Sequence, residues 1–91
     1  METINHMMDY VKSYINDEIE RWKFVQNFSY KLMKYWHIME FEDPDYAHMF
    51  NFWITQKGFY AGSSLPNSEY KKLIKRQYNK VKTMVNEVSD L

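Results

Sequence analysis

Between Thr3 and Asp43 the chain has neither proline nor glycine, and its apolar residues recur in alternating steps of three and four. The run is Ile4, Met7, Met8, Val11, Tyr14, Ile15, Ile19, Trp22, Val25, Phe28, Leu32, Tyr35, Trp36 and Met39. This is the period of a helix with one apolar stripe, not the alternation of a half-buried strand. On a helical wheel the stripe drifts slowly, as a repeat of about 3.5 residues would. Lys12, Asn16, Asp17, Glu20, Lys23 and Lys31 fall on the other side. There Asp17 with Arg21 and Glu20 with Lys23 have the spacing of helical ion pairs.

Length then sets a problem. A single helix over residues 4–39 would be about 54 Å long at 1.5 Å per residue, whereas a compact chain of this size is only about 30 Å across. Either the helix breaks, or a partner buries its overhang. The break is expected at residues 26–29, where Asn27 or Ser29 can cap a second helix and both weaken helix in mid-run. Thr3 is the expected cap of the first helix.

Residues 43–58 read as a central, aromatic helix. Asp43 can cap it, Pro44 suits its first position, and Asp45 adds negative charge at the positive end of the macrodipole. Lys57 and Gly58 suit its end, with Gly58 taking the left-handed closing conformation. Tyr46, Met49, Phe50, Trp53 and Lys57 share one stripe, and Ala47 and Ile54 widen it. Phe52 points the opposite way, and His48, Asn51 and Thr55 mark a narrow polar strip. A helix apolar over that much of its circumference is expected to pack on more than one side.

A loop comes next, with both glycines and Pro66 in or beside it, and it presents Phe59, Tyr60 and Leu65. The last helix starts at Asn67 or Ser68. Its stripe is Tyr70, Leu73, Ile74, Tyr78, Val81, Met84, Val85 and Val88, opposite Lys71, Lys72, Lys75, Arg76, Lys80 and Lys82. The expected fold is therefore all-α: one domain over residues 1–91, a small bundle of three or four helices. It has a long N-terminal helix or helix pair, a central aromatic helix and a basic amphipathic C-terminal helix.

Composition narrows the function classes. The 91 residues contain no cysteine, which removes disulfides, thiol catalysis and thiolate zinc sites and fits a reducing cytoplasm. Mean hydropathy is −0.68 and no apolar run is long enough to span a membrane. The segment METINHMMDYVK lacks the basic and apolar regions of a signal peptide. Twelve basic and twelve acidic residues balance overall, yet residues 1–45 hold nine acidic against five basic, net −4, and residues 46–91 three against seven, net +4. Such a chain can pair its halves internally or in a dimer.

Catalytic chemistry has little to rest on. The histidines, His6, His37 and His48, form no zincin pattern. His37, Glu40, Asp43, Asp45 and His48 could be assembled into a metal site, but acidic residues before a helix are better read as capping. Gly62-Ser63-Ser64 is not a nucleophile elbow. No catalytic residue, cofactor or metal is expected, and the chain reads as no enzyme.

Surface chemistry points to binding. Seventeen aromatic residues are many for a small core, and Tyr and Trp favour interfaces. Tyr10, Phe24, Tyr30 and Tyr60 fall off the stripes and are expected to be exposed. Three surfaces are candidates: the acidic turn Glu40, Glu42, Asp43 and Asp45; the loop residues Phe59, Tyr60 and Leu65; and the basic helix face. The leading expectation is a non-enzymatic module binding another protein. The alternatives are a nucleic-acid-binding regulator using the basic face and a structural homodimer using the long first stripe. In size, lack of cysteine and residue usage the chain is similar to the small proteins that phages and mobile elements make against host proteins, anti-CRISPR proteins among them. That likeness implies an inhibitor or adaptor and assigns no residue a role.

Overall fold

The computed structural model describes residues 1–89, and the side chains of residues 1–86. Helix α1 is Glu2–Ile15, α2 is Arg21–Glu42, α3 is Pro44–Met49, and α4 is Asn67–Ser89. Helix α3 runs on without a gap into a π-helical segment, Phe50–Tyr60. There is no strand among the described residues, so the all-α bundle stands. The molecule measures 38 × 26 × 22 Å. Val88, the last residue of the expected C-terminal stripe, lies outside the side chains described.

The first long stripe breaks, but at residues 16–20 rather than 26–29. Asp17 has φ 63°, the left-handed conformation that Asn and Asp tolerate better than other side-chain-bearing residues. The Glu18 N–H donates to Ser13 O at 2.9 Å and the Asp17 N–H to Tyr14 O at 3.1 Å. That pair of bonds is the Schellman closure, usually built on glycine. Asn27 and Ser29 sit inside α2, where tertiary packing overrides their weak propensity.

The break resets the helical phase. Trp22 and Val25, on the sequence stripe, are exposed, while Phe24, expected on the surface, is fully buried. Phe24 stacks on Tyr14 with centroids 4.5 Å apart and packs against Phe28 at 5.4 Å. Phe28 in turn stacks on Phe59 at 4.7 Å and on Phe50 at 6.1 Å. This aromatic column ties α1, α2 and the π segment into one core. Tyr10 is half-buried, stacked on Phe24 at 5.7 Å, whereas Tyr30 and Tyr60 are exposed as expected.

Asp43 caps α3 as its sequence implies, its Oδ1 accepting the Tyr46 N–H at 3.1 Å, with Pro44 in the first turn. Thr3 does not cap α1; its own N–H is capped by a carboxylate from α2. Nor does the central helix close at Gly58. It continues to Tyr60, with the Ala61 N–H reaching back five residues to Gln56 O at 3.2 Å. Phe50 and Phe59 are both buried. Nine residues of α-helix would be two and a half turns and would put them on opposite faces; the wider π turn brings both inward. The same widening buries Thr55, expected on the polar strip, and leaves its Oγ1 without a hydrogen-bond partner among the described residues.

Neither glycine has positive φ. Both serve close approach to α4. A Cβ on Gly62 would lie 2.7 Å from Leu73 Cδ2, 3.0 Å from Gly58 O and 3.1 Å from Tyr70 Cδ1. One on Gly58 would meet Ile74 Cδ1 at 3.1 Å, a movable methyl. Gly62→Ala should therefore cost about 1–3 kcal/mol in urea unfolding, the range for overpacking, and Gly58→Ala clearly less. Equal costs would contradict the packing role given to Gly62.

Candidate functional site: a cleft built on Arg21

Because α1 closes at Asp17, Arg21 opens α2 with its guanidinium against the loop of residues 61–66. The guanidinium holds that loop. Nη1 donates to Leu65 O at 2.7 Å and to Asn67 Oδ1 at 2.9 Å, and Nη2 donates to Ser63 O at 3.2 Å. Its plane carbon lies 4.1 Å from the centroid of the Tyr70 ring. Such stacked, multidentate contact is what arginine offers and lysine does not. The expected Asp17–Arg21 pair is absent, since Asp17 has left the helix; Asp17 instead pairs with Lys71 of α4. Glu20 does not pair with Lys23 but accepts the Trp22 indole N–H.

These contacts bound a cleft of about 1350 Å³. Buried Tyr14 and Tyr70 form its floor, and Arg21, Ile19, Trp22, Val25, Tyr60 and Leu65 line it together with the carboxylates of Asp17, Glu18 and Glu20. The volume exceeds the roughly 300–1,000 Å³ of small-molecule pockets, and the exposed aromatics suit a larger occupant. The lining carries three carboxylates, Asp17, Glu18 and Glu20, against two cations, Arg21 and Lys71, a net charge of −1. Arg21 spends its donors on the protein's own carbonyls, and Lys71 is held by Asp17 and lies 4.8 Å from the Tyr14 ring. The exposed Glu18 carboxylate has no hydrogen-bond or ion-pair partner among the described residues. In the floor, burial drives the Tyr70 hydroxyl pKa strongly upward, Tyr14 adds to this and Arg21 opposes it. The Tyr70 hydroxyl is enclosed without a hydrogen-bond partner among the described residues.

The residues singled out by sequence fall in three places. Of the loop group, Tyr60 and Leu65 line the cleft, while Phe59 is chiefly a core residue on Phe28. The acidic group is largely engaged within the fold. Glu42 belongs to the last turn of α2 and reaches α1, its carboxylate accepting the Thr3 N–H at 2.9 Å and the Ile4 N–H at 3.0 Å. Desolvation alone would raise its pKa; the N–H groups of Ile4 and Thr3 outweigh that and lower it. Asp43 caps α3, Glu40 lies 3.6 Å from His48 Nε2 and 4.0 Å from His37 Nδ1, and Asp45 is exposed. On α4, Lys72, Lys75, Arg76, Lys80 and Lys82 are exposed, but Lys71 turns into the Asp17 pair, and Lys80 lies 3.7 Å from the Trp53 ring centroid.

Sequence reading misses Arg21, Trp22 and Glu18 as site residues. The one local signal is the Asn16-Asp17 pair, the dipeptide best suited to left-handed backbone in a stretch without glycine. Among the described residues no cluster of three or more His, Asp or Glu side chains is arranged to hold a metal ion, and no helix is long and apolar enough to cross a membrane. Compared with protein families, curated proteins and solved structures, the chain shows no match.

Glu42→Gln should remove a pH-dependent part of the stability. Because the folded pKa is lowered, the wild-type advantage is full above the ordinary carboxylate value of 4.5 and is lost as pH falls through the lower folded value. Melting curves of both proteins should converge in acid; a constant gap would contradict the capping role. Arg21→Ala should cost about 2 kcal/mol, the scale of a charged group's hydrogen bonds. It should also speed amide exchange at residues 63–67, an effect absent if the guanidinium does not hold the loop.

Proposed function

We propose that the chain is a non-enzymatic protein-binding module whose cleft takes a segment of another protein, one carrying basic residues beside a large apolar anchor. The single observation behind this is the cleft itself, which exposed Trp22 and Tyr60 line together with the carboxylates of Asp17, Glu18 and Glu20. Tryptophan and tyrosine in such a recess are the residues that dominate binding energy at interfaces. The net charge of −1 in the lining, with the Glu18 side chain exposed, supplies charge complementarity to a basic segment. The histidines lie elsewhere: His6 against Lys31, and His37 and His48 about Glu40. Size, composition and the missing cysteines support the finer reading of a small inhibitor or adaptor. Mobile elements encode such proteins against host nucleic-acid-processing proteins.

Selection from a displayed random-peptide library tests the site. Enriched peptides should combine lysine or arginine with a large apolar residue. Their affinity should fall at least tenfold for Tyr60→Ala and for Glu18→Lys, both off the outer face of α2. No enrichment, or affinity indifferent to both variants, would remove the reading.

The exposed run Lys72, Lys75, Arg76 and Lys82 favours a second reading, nucleic-acid binding along α4. Phosphate contacts would make it steeply salt-dependent. A gel shift at low salt that vanishes in Lys72→Glu/Arg76→Glu would support it, and no shift at low salt would end it.

A further inference from the structure

Helix α2 is apolar on two sides. Its inner side buries Phe24, Phe28 and Met39. On the outer side Trp22, Gln26, Tyr30, Met33, His37 and Phe41 succeed one another in steps of four, four, three, four and four, which places them on one face. All six are exposed, Trp22 and Tyr30 at 64%, Met33 at 78% and Phe41 at 91%. A two-turn apolar patch would be ordinary; here four large apolar side chains, with Gln26 and His37 between them, span the whole of a 22-residue helix.

The order of the stripe is symmetric about the middle of the helix. Trp22 and Phe41 are equidistant from its midpoint, as are Gln26 and His37, and Tyr30 and Met33. We infer that this face is the docking surface for a second copy of the chain, with the two α2 helices antiparallel across a twofold axis at the helix midpoint. That arrangement sets the aromatic ends against each other. It also places the amide of Gln26 level with His37 of the other copy, and Tyr30 level with the other copy's Met33 thioether.

Area and the self-matched order of the stripe favour a copy over an unlike partner. Antiparallel pairing also opposes the macrodipoles of the two helices, whereas a parallel pair would align them. The exposed parts of Trp22, Tyr30, Met33 and Phe41 amount to roughly 600 Å² per copy, so about 1,200 Å² for the pair, the lower bound of specific stable interfaces. An isologous contact uses one patch twice, so the self-matched stripe needs no second surface. The cleft shares only Trp22 with this face, and the inference stands whether or not the cleft binds a peptide.

The absence of cysteine makes the test direct. Positions 26 and 37 are eleven residues apart, about 16 Å along one helix, too far for a disulfide within a chain. The wild-type chain should sediment at twice 11.3 kDa at micromolar to millimolar concentration. Met33→Glu should weaken the dimer at least tenfold with an unchanged circular dichroism spectrum. A mixture of Gln26→Cys and His37→Cys chains should oxidise to the mixed disulfide, and neither variant alone should form its own. A strict monomer, which would leave the face to an unlike partner, overturns the inference. So does a dimer in which Gln26→Cys links readily to itself, the mark of parallel pairing.

Discussion

Phe24 holds the structure together. Its ring lies between Tyr14 of α1 and Phe28 of its own helix, and Phe28 passes the contact to Phe59 and Phe50. Full burial of an aromatic side chain contributes more than any other single burial in so small a core. Phe24 can reach that position only if α1 has ended and α2 has begun on a new phase. The left-handed residue Asp17 is therefore the hinge of the architecture. It sets the exposure of Trp22, the reach of Arg21 to the loop and the cleft between them.

Much of this is legible in the sequence. The helical class, the caps at Asp43 and Pro44, the amphipathic α4 and the need for a break in the first stripe all come from period and punctuation. The place of the break does not. Asn27 and Ser29 weaken helix in mid-run as Asn16 and Asp17 do, and the packing of Phe24 and Phe28 chooses between them. A residue near a phase change is assigned to the wrong face on both sides of it, so periodicity puts Trp22 in the core and Phe24 on the surface. The π segment is hidden for a similar reason. A 3.6-residue period cannot place Phe50 and Phe59 together, so Phe59 reads as loop and Thr55 as polar strip.

The two glycines show how one residue type admits two explanations. From sequence, Gly58 and Gly62 read as conformational punctuation. In the fold neither uses positive φ, and both mark where the π segment, at Gly58, and the loop after it, at Gly62, come close to α4. The acidic stretch before Pro44 is similar. By sequence its charges are free for a partner, yet Glu42 and Asp43 complete the first turns of α1 and α3. Helix ends within the chain have first claim on such carboxylates. Surface left over after those claims lies in the cleft, the outer face of α2 and the cations of α4, and function is to be sought there.

The phase of α2 is the central claim, and unfolding of two variants measures it. Phe24→Ala should lose about 3–5 kcal/mol, the cost of truncating a buried aromatic. Trp22→Ala, measured in Met33→Glu so that self-association does not contribute, should change stability by no more than about 1 kcal/mol, as surface replacements do. The reverse order, with Trp22 costly and Phe24 nearly silent, would mean one continuous stripe through residues 4–39 and would contradict the hinge at Asp17.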